Sequence, residues 1–281
     1  MFKKVSLLIL LSFIVANTSK SDFKEIKKKA TISKPEIIFP IPENLDRCIT
    51  NMYTNQTTNP VLPVIKVDAP SGYGLDNRFM YTLNKFENFK RPCGGGNIEA
   101  CENVKRVILD WAKADAAKRT GPSNHEGRHW NDTLTVNLWV ASPMMAAYSF
   151  AKQIIKVPDN EDKIIKDWFE RIVKKNKHLM YGMTYKQGTQ AIGVPKRAHN
   201  HALSSAIAHM ELGILLNDNI QFRKAFKNYE AAIKHQRGDG SLPIETRRGG
   251  RAMFYQGRAM NALSVIAIIA ENQGYNIWEY D

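Results

Sequence analysis

Residues 197–216 read RAHNHALSSAIAHMELGILL, and the fold is decided in this stretch. Leu203, Ala206, Ile207, Met210 and Ile214 recur at i, i+3, i+4, i+7 and i+11, the period of an α-helix that buries one face. The polar segment Arg197-Ala198-His199-Asn200-His201 stands immediately before the first apolar residues and marks the helix start. Working outward, the same period returns upstream in Val104, Val107, Ile108, Trp111 and Ala112, and in Ile164, Ile165, Trp168, Phe169 and Ile172. Downstream it returns in Phe222, Ala225, Phe226, Tyr229, Ala232 and Ile233. Helical stretches at 133–152 and 253–271 bring the expectation to about six helices, with Gly, Pro, Asn and Asp at the joints and no convincing alternating strand between them. Helices of similar length on short connections form antiparallel hairpins, in a bundle, a solenoid or a closed α/α toroid. No repeat of fixed period is visible, which disfavours an ordinary solenoid.

The 281 residues carry 40 Lys and Arg against 27 Asp and Glu, a net charge of +13. With 43% hydrophobic residues, the chain is neither a disordered tail nor a disulfide scaffold. Its charge surplus points to a polyanion: nucleic acid, an anionic membrane surface or an acidic polymer. Residues 1–19 narrow the choice. Lys3 and Lys4 precede an apolar run from Val5 to Val15 and then Ala16-Asn17-Thr18-Ser19, the pattern of a secretory signal peptide. An exported protein, periplasmic or secreted, meets no cellular nucleic acid and keeps no stable membrane association once the signal is removed. An acidic polymer is therefore the expected partner.

Residues 20–98 read as an irregular N-terminal strap and lid over the body at 99–281. Prolines 35, 40, 42, 60, 63 and 70 and a basic stretch at Lys24–Lys29 fall in it. Three cysteines allow one intramolecular bridge. Cys48 joined to Cys93 or Cys101 would fasten the strap to the body, while three buried thiols are equally compatible with the sequence.

Three segments could carry chemistry. His125-Glu126-Gly127-Arg128-His129 fits the spacing of a zinc protease helix, with His125 and His129 as ligands and Glu126 as base. Gly127 interrupts that helix and no further Glu follows before Glu161, so a polar loop lining a cleft is the better reading, with no metal expected. His199-Asn200-His201, at a helix N-terminus with its unpaired N–H groups, suits a carboxylate; in the simpler alternative Asn200 only caps the helix. The third segment runs from Asp239 to Tyr255 and contains Arg247, Arg248, Arg251 and Tyr255. Arg248 and Tyr255 are seven residues apart, so both face one groove if the segment is helical. The alternative is a solvated basic turn leading into a core tyrosine.

Together, Asn200-His201 and the later Gly240-Ser241-Leu242-Pro243-Ile244-Glu245 with its arginines and Tyr255 resemble the alginate lyases of the α/α-toroid class. The resemblance extends upstream through Asn124-His125-Glu126-Gly127 and covers roughly residues 99–272. It implies an all-α toroid and a polysaccharide lyase without cofactor, acting on a polyuronate, most readily mannuronate-rich alginate. It assigns Asn200, His201 and Arg248 to the uronate carboxylate and Tyr255 to acid–base catalysis. Asn124, His125, Arg247 and Arg251 become substrate-binding positions, and Tyr73 the nearest match to a lid tyrosine.

That residue set suits the chemistry. Removing the C5 proton of a uronate builds a second negative charge beside the ionised carboxylate, and a guanidinium with amide donors spreads it. A phenol beside the arginines then serves as base and acid on one face of the sugar. On guluronate, where the groups lie on opposite faces, His201 would be the base. Rival readings are a lyase for glucuronan or another polyuronate, a zinc metalloprotease on His125 and His129, and a non-catalytic polyanion-binding protein.

Overall fold

The computed structural model describes residues 20–41, 77–117, 140–175 and 193–280. Eight helices of at least ten residues occur among them: α1 (Lys20–Lys29), α2 (Asn77–Gly94), α3 (Ile98–Lys113), α4 (Ser142–Ile154), α5 (Asp159–Lys175), α6 (Asn200–Leu216), α7 (Asn219–Ile233) and α8 (Ala252–Asn272). No strand is present in the described residues. Each of the six expected helices has its counterpart in α3 to α8, although part of the 133–152 stretch lies outside the described residues. α1 and α2 form within the 20–98 stretch that was expected to be irregular.

α6 is the axis of the body. Every residue from Asn200 to Leu215 is buried, because α4, α5, α7 and α8 all pack on it. A helix so enclosed need not be polar on any face. Asn217 ends it in the left-handed conformation (φ 53°), and Asp218 then caps α7 by accepting from the N–H groups of Ile220 (2.9 Å) and Gln221 (3.1 Å). The hairpin is tight. A Cβ at Gly213 would lie 2.4 Å from the backbone N of Phe222, so glycine is what lets α6 and α7 approach. Trp111, Trp168, Tyr148, Phe169, Phe222 and Phe226 fill the surrounding core.

The segment 30–41 crosses one end of this body as a strap. Gln273, at the end of α8, accepts from the N–H groups of Ser33 (3.0 Å) and Lys34 (2.9 Å) and donates to the carbonyl of Ile37 (2.9 Å). The Glu36 N–H caps α6 at the Ile214 carbonyl (3.0 Å), and Ile38 donates to Ser149 of α4 (2.9 Å). The Glu36 side chain accepts from Lys152 (2.6 Å) and also from Lys166. Thus the C-terminal ends of α4, α6 and α8 lie together under the strap, and the N-terminal ends of α6 and α8 meet at the opposite end. α1 is pinned by Phe23, which stacks on Tyr280 at 4.0 Å between ring centroids. Lys27 pairs with Glu230, whereas Lys24 and Lys28 are exposed.

The disulfide joins Cys93 to Cys101, with Cα atoms 4.6 Å apart. Of the arrangements that the sequence left open, neither bridge to Cys48 forms, nor are these two cysteines free thiols. The turn Gly94-Gly95-Gly96-Asn97 reverses the chain between α2 and α3 and brings the two cysteines within bonding reach. Cys48 itself lies outside the described residues.

Candidate active site

At the end opposite the strap, the cap of α6 is His199, not Asn200. His199 is extended (φ −76°, ψ 146°), and its Nδ1 accepts from the His201 N–H at 3.2 Å. Asn200 is thereby released from capping and becomes the first residue of the helix. It is 1% exposed, and it donates twice to one carboxylate: backbone N–H to Glu245 Oε1 and side-chain Nδ2 to Glu245 Oε2, each 2.8 Å.

Glu245 reaches this position on a short helical turn, Pro243–Thr246, with proline at its start. Leu242 and Ile244 are buried beneath it, and the Leu242 N–H donates to Gln256 of α8 (3.0 Å). One turn later Arg248 points inward. Its Nη1 lies 3.6 Å from Glu245 Oε2 and 3.3 Å from His199 Nε2, and its guanidinium carbon lies 3.6 Å from the centre of the Tyr255 ring. Gly249 (φ 56°) adopts the left-handed turn that leads through Gly249–Arg251 into α8. The path from Arg248 to Tyr255 is therefore not one α-helix, yet the two side chains meet as the seven-residue spacing suggested. Tyr255, half-buried in the first turn of α8, also meets Phe254 edge-on at 5.3 Å.

The electrostatics divide the site into neutral and charged groups. Burial, with Arg248 beside it, pushes His199 down to about 3. Burial, with His199, Arg248 and Arg258 around it, pushes His201 down to about 2. Both imidazoles are neutral near pH 7, so they bring hydrogen-bonding capacity and no charge. Positive potential comes from Arg248 and from the N-terminal ends of α6 and α8. Burial raises the Glu245 carboxyl above its ordinary range, opposed by the Asn200 donors and Arg248.

The structure thus brings together Asn200, His201, Arg248 and Tyr255 with His199, which the sequence named only within the carboxylate-suited His199-Asn200-His201 segment, and adds Glu245, to which sequence reasoning gave no role. Glu245 was visible as part of the Leu-Pro-Ile-Glu run, but nothing local signals that it faces Asn200. Arg247 and Arg251 are exposed on the turns flanking Arg248. Asn124, His125, His129 and Tyr73 lie outside the described residues.

An all-helical body with an arginine, an amide, imidazoles and a tyrosine gathered at converging helix N-termini is the arrangement expected of an α/α-toroid protein that handles a carboxylate. The alginate lyase family model matches residues 20–281, and the chain belongs to that family. An alginate lyase of Pseudomonas syringae pv. syringae is 25% identical over 186 residues, 65% of this chain and 45% of that protein. One of Pseudomonas aeruginosa (strain LESB58) is 26% identical over 176 residues, 59% of this chain and 42% of that protein. The chain spans about half the length of the curated relatives it matches. Among solved structures, a variant of alginate lyase A1-III complexed with tetrasaccharide superposes with a TM-score of 0.63 at 16% identity, covering 91% of this chain and 75% of that one. Alginate lyase A1-III from Sphingomonas species A1 gives 0.57 at 17% identity, covering 92% and 72%. The fold is the α/α toroid of those structures.

Proposed function

We propose that the protein is an exported polysaccharide lyase that cleaves mannuronate-rich alginate by β-elimination. The observation that carries this reading is Arg248, whose guanidinium lies 3.6 Å over the Tyr255 ring and 3.6 Å from Glu245 at the start of α6 and α8. A uronate carboxylate placed against Arg248 is adjacent to Tyr255, the one phenol of the site among the described residues.

In this reading Arg248, aided by donors at the start of α6, holds the carboxylate and stabilises the charge that develops when C5 loses its proton. Tyr255 Oη, acting as a phenolate, takes that proton. The C4–O bond breaks as the C4–C5 double bond forms, and the proton passes from Tyr255 to the departing oxygen. In mannuronate the C5 hydrogen and C4 oxygen share a face, which lets one group serve both steps. His201 is a weak candidate for the base that guluronate would require, since burial and nearby cations disfavour the protonated imidazole that it would become on taking the proton. Arg247, Arg251 and the exposed Lys24 and Lys28 supply a field that attracts the polymer, weakened by salt. The Cys93–Cys101 bridge fits an oxidising compartment, in keeping with export. No helix of the described residues is long and apolar enough to cross a membrane.

The test is to incubate the mature protein with mannuronate-rich, guluronate-rich and glucuronan polymers, with and without chelator, and to follow ultraviolet absorbance of the unsaturated uronate. Chelator-insensitive product from the mannuronate-rich polymer is expected. Activity on glucuronan alone would replace the substrate, binding without product would favour a non-catalytic module, and chelator-sensitive proteolysis would favour the zinc reading.

A further inference from the structure

We propose that His199 is a carboxylate-binding residue of this site, its Nε2–H donating to the same uronate oxygen that Arg248 Nη1 grips. The inference rests on the polyuronate-lyase reading above and adds a residue to it.

A neutral imidazole has one N–H and one ring lone pair. Two donors address the His199 ring: the His201 N–H at Nδ1, 3.2 Å away, and Arg248 Nη1 at Nε2, 3.3 Å away. One lone pair serves only one of them. Leaving the buried His201 backbone N–H unmatched at the helix start is costly, because a buried donor without an acceptor loses its hydration and gains nothing in return. Arg248 is differently placed, since its side chain is 20% exposed and it also contacts Glu245 and the Tyr255 ring. The lone pair therefore stays at Nδ1 and the proton at Nε2.

Two N–H groups then converge from His199 and Arg248 on one place. This is unfavourable in the free protein, and an anionic oxygen accepting from both relieves it. Burial keeps His199 neutral, so it adds a directed donor to the charge of Arg248 without a second cation. The need for that donor is visible beside it. Asn200 commits its backbone N–H and one amide N–H to Glu245 and has less left for a ligand.

His199→Asn separates the two duties of the ring. An Asn side chain still caps α6 by accepting the His201 N–H, but it is too short to reach the Arg248 guanidinium. In a Tyr255→Phe background, calorimetric titration with a saturated mannuronate oligomer should show binding at least tenfold weaker when His199→Asn is added. In the single variant kcat/KM should fall by a similar factor, with the melting temperature little changed. Nitrogen-15 NMR of the unmutated ring should show Nε2–H and bare Nδ1, with the Nε2–H resonance moving on oligomer addition. A proton found on Nδ1, or oligomer affinity within twofold of the parent, overturns the proposal while leaving the lyase reading intact. A folded wild-type protein that releases unsaturated product from no polyuronate overturns both.

Discussion

Asn200 and Glu245, 45 residues apart in sequence, are joined by two parallel hydrogen bonds of 2.8 Å, with the helix-start N–H and the side-chain amide of Asn200 both donating to the buried carboxylate. The pair fixes the amide plane of Asn200 and, through the 3.6 Å contact with Arg248, also partly neutralises the guanidinium expected to meet substrate. Glu245→Gln should therefore separate binding from turnover. The Gln amide sets a donor against the Asn200 donors and loosens the site, and a charge-assisted bond of this kind is worth about 1.5–3 kcal/mol, or roughly tenfold to a hundredfold in kcat. Removing the competing negative charge leaves KM unchanged or lower. Steady-state kinetics on mannuronate-rich polymer checks both, and a raised KM at unchanged kcat would contradict this role.

Tyr255→Phe keeps the ring on which Arg248 stacks and deletes only the hydroxyl. The guanidinium at 3.6 Å should stay in place, so oligomer binding should persist. Acid–base groups contribute about 100- to 10,000-fold, and product formation should fall by at least the lower figure. Ultraviolet assay of turnover beside calorimetric binding reads the two effects separately. Near-normal turnover would remove Tyr255 from the mechanism.

The helices legible in the sequence are those whose own apolar residues form a stripe, as in α3, α5 and α7. α1 was not legible, because its apolar residues are only Phe23 and Ile26, and what holds it is Phe23 against Tyr280, a partner more than 250 residues away. In the site, Asn200, His201, Arg248 and Tyr255 stood out as local motifs. Their wiring did not. Asn is a commoner helix cap than His, so sequence favours Asn200 where the structure uses His199. The carboxylate that orients Asn200 arrives only when the Pro243–Thr246 turn folds back onto α6. The cysteine pairing likewise depends on a Cα separation of 4.6 Å that no spacing rule supplies.

Gln273 is 2% exposed and its side-chain amide satisfies several backbone groups of the strap at once. Gln273→Ala leaves the N–H groups of Ser33 and Lys34 and the Ile37 carbonyl without these partners. At about 1 kcal/mol net per hydrogen bond, the loss should be about 2–4 kcal/mol of unfolding free energy. Urea denaturation checks the magnitude. Because the strap crosses the end of the body away from Arg248 and Tyr255, the folded variant should retain its KM, and a large KM change would show that strap and site are coupled.

Acidification should destabilise the fold through its buried histidines. His199, His201 and His209 are pushed down to about 3, 2 and 4, mainly by burial, from an ordinary value near 6.5. Between about pH 6.5 and 4 the unfolded chain binds protons on these rings that the folded chain refuses. Stability therefore rises with pH across that window and is lost as pH falls, each ring contributing up to about 1.4 kcal/mol per pH unit. Glu211 and Glu245, whose carboxyls burial pushes up, act in the opposite sense above about pH 4.5. A variant that removes one histidine isolates the effect. His209 lies on α6 away from the site, with Nδ1 3.0 Å from Gln221 Oε1, a contact that a glutamine amide can replace. Between pH 6 and 5, the dependence of unfolding free energy on pH should be flatter in His209→Gln than in wild type by about 1 kcal/mol per pH unit. Parallel dependences in urea denaturation series would mean that His209 takes up its proton in the folded protein.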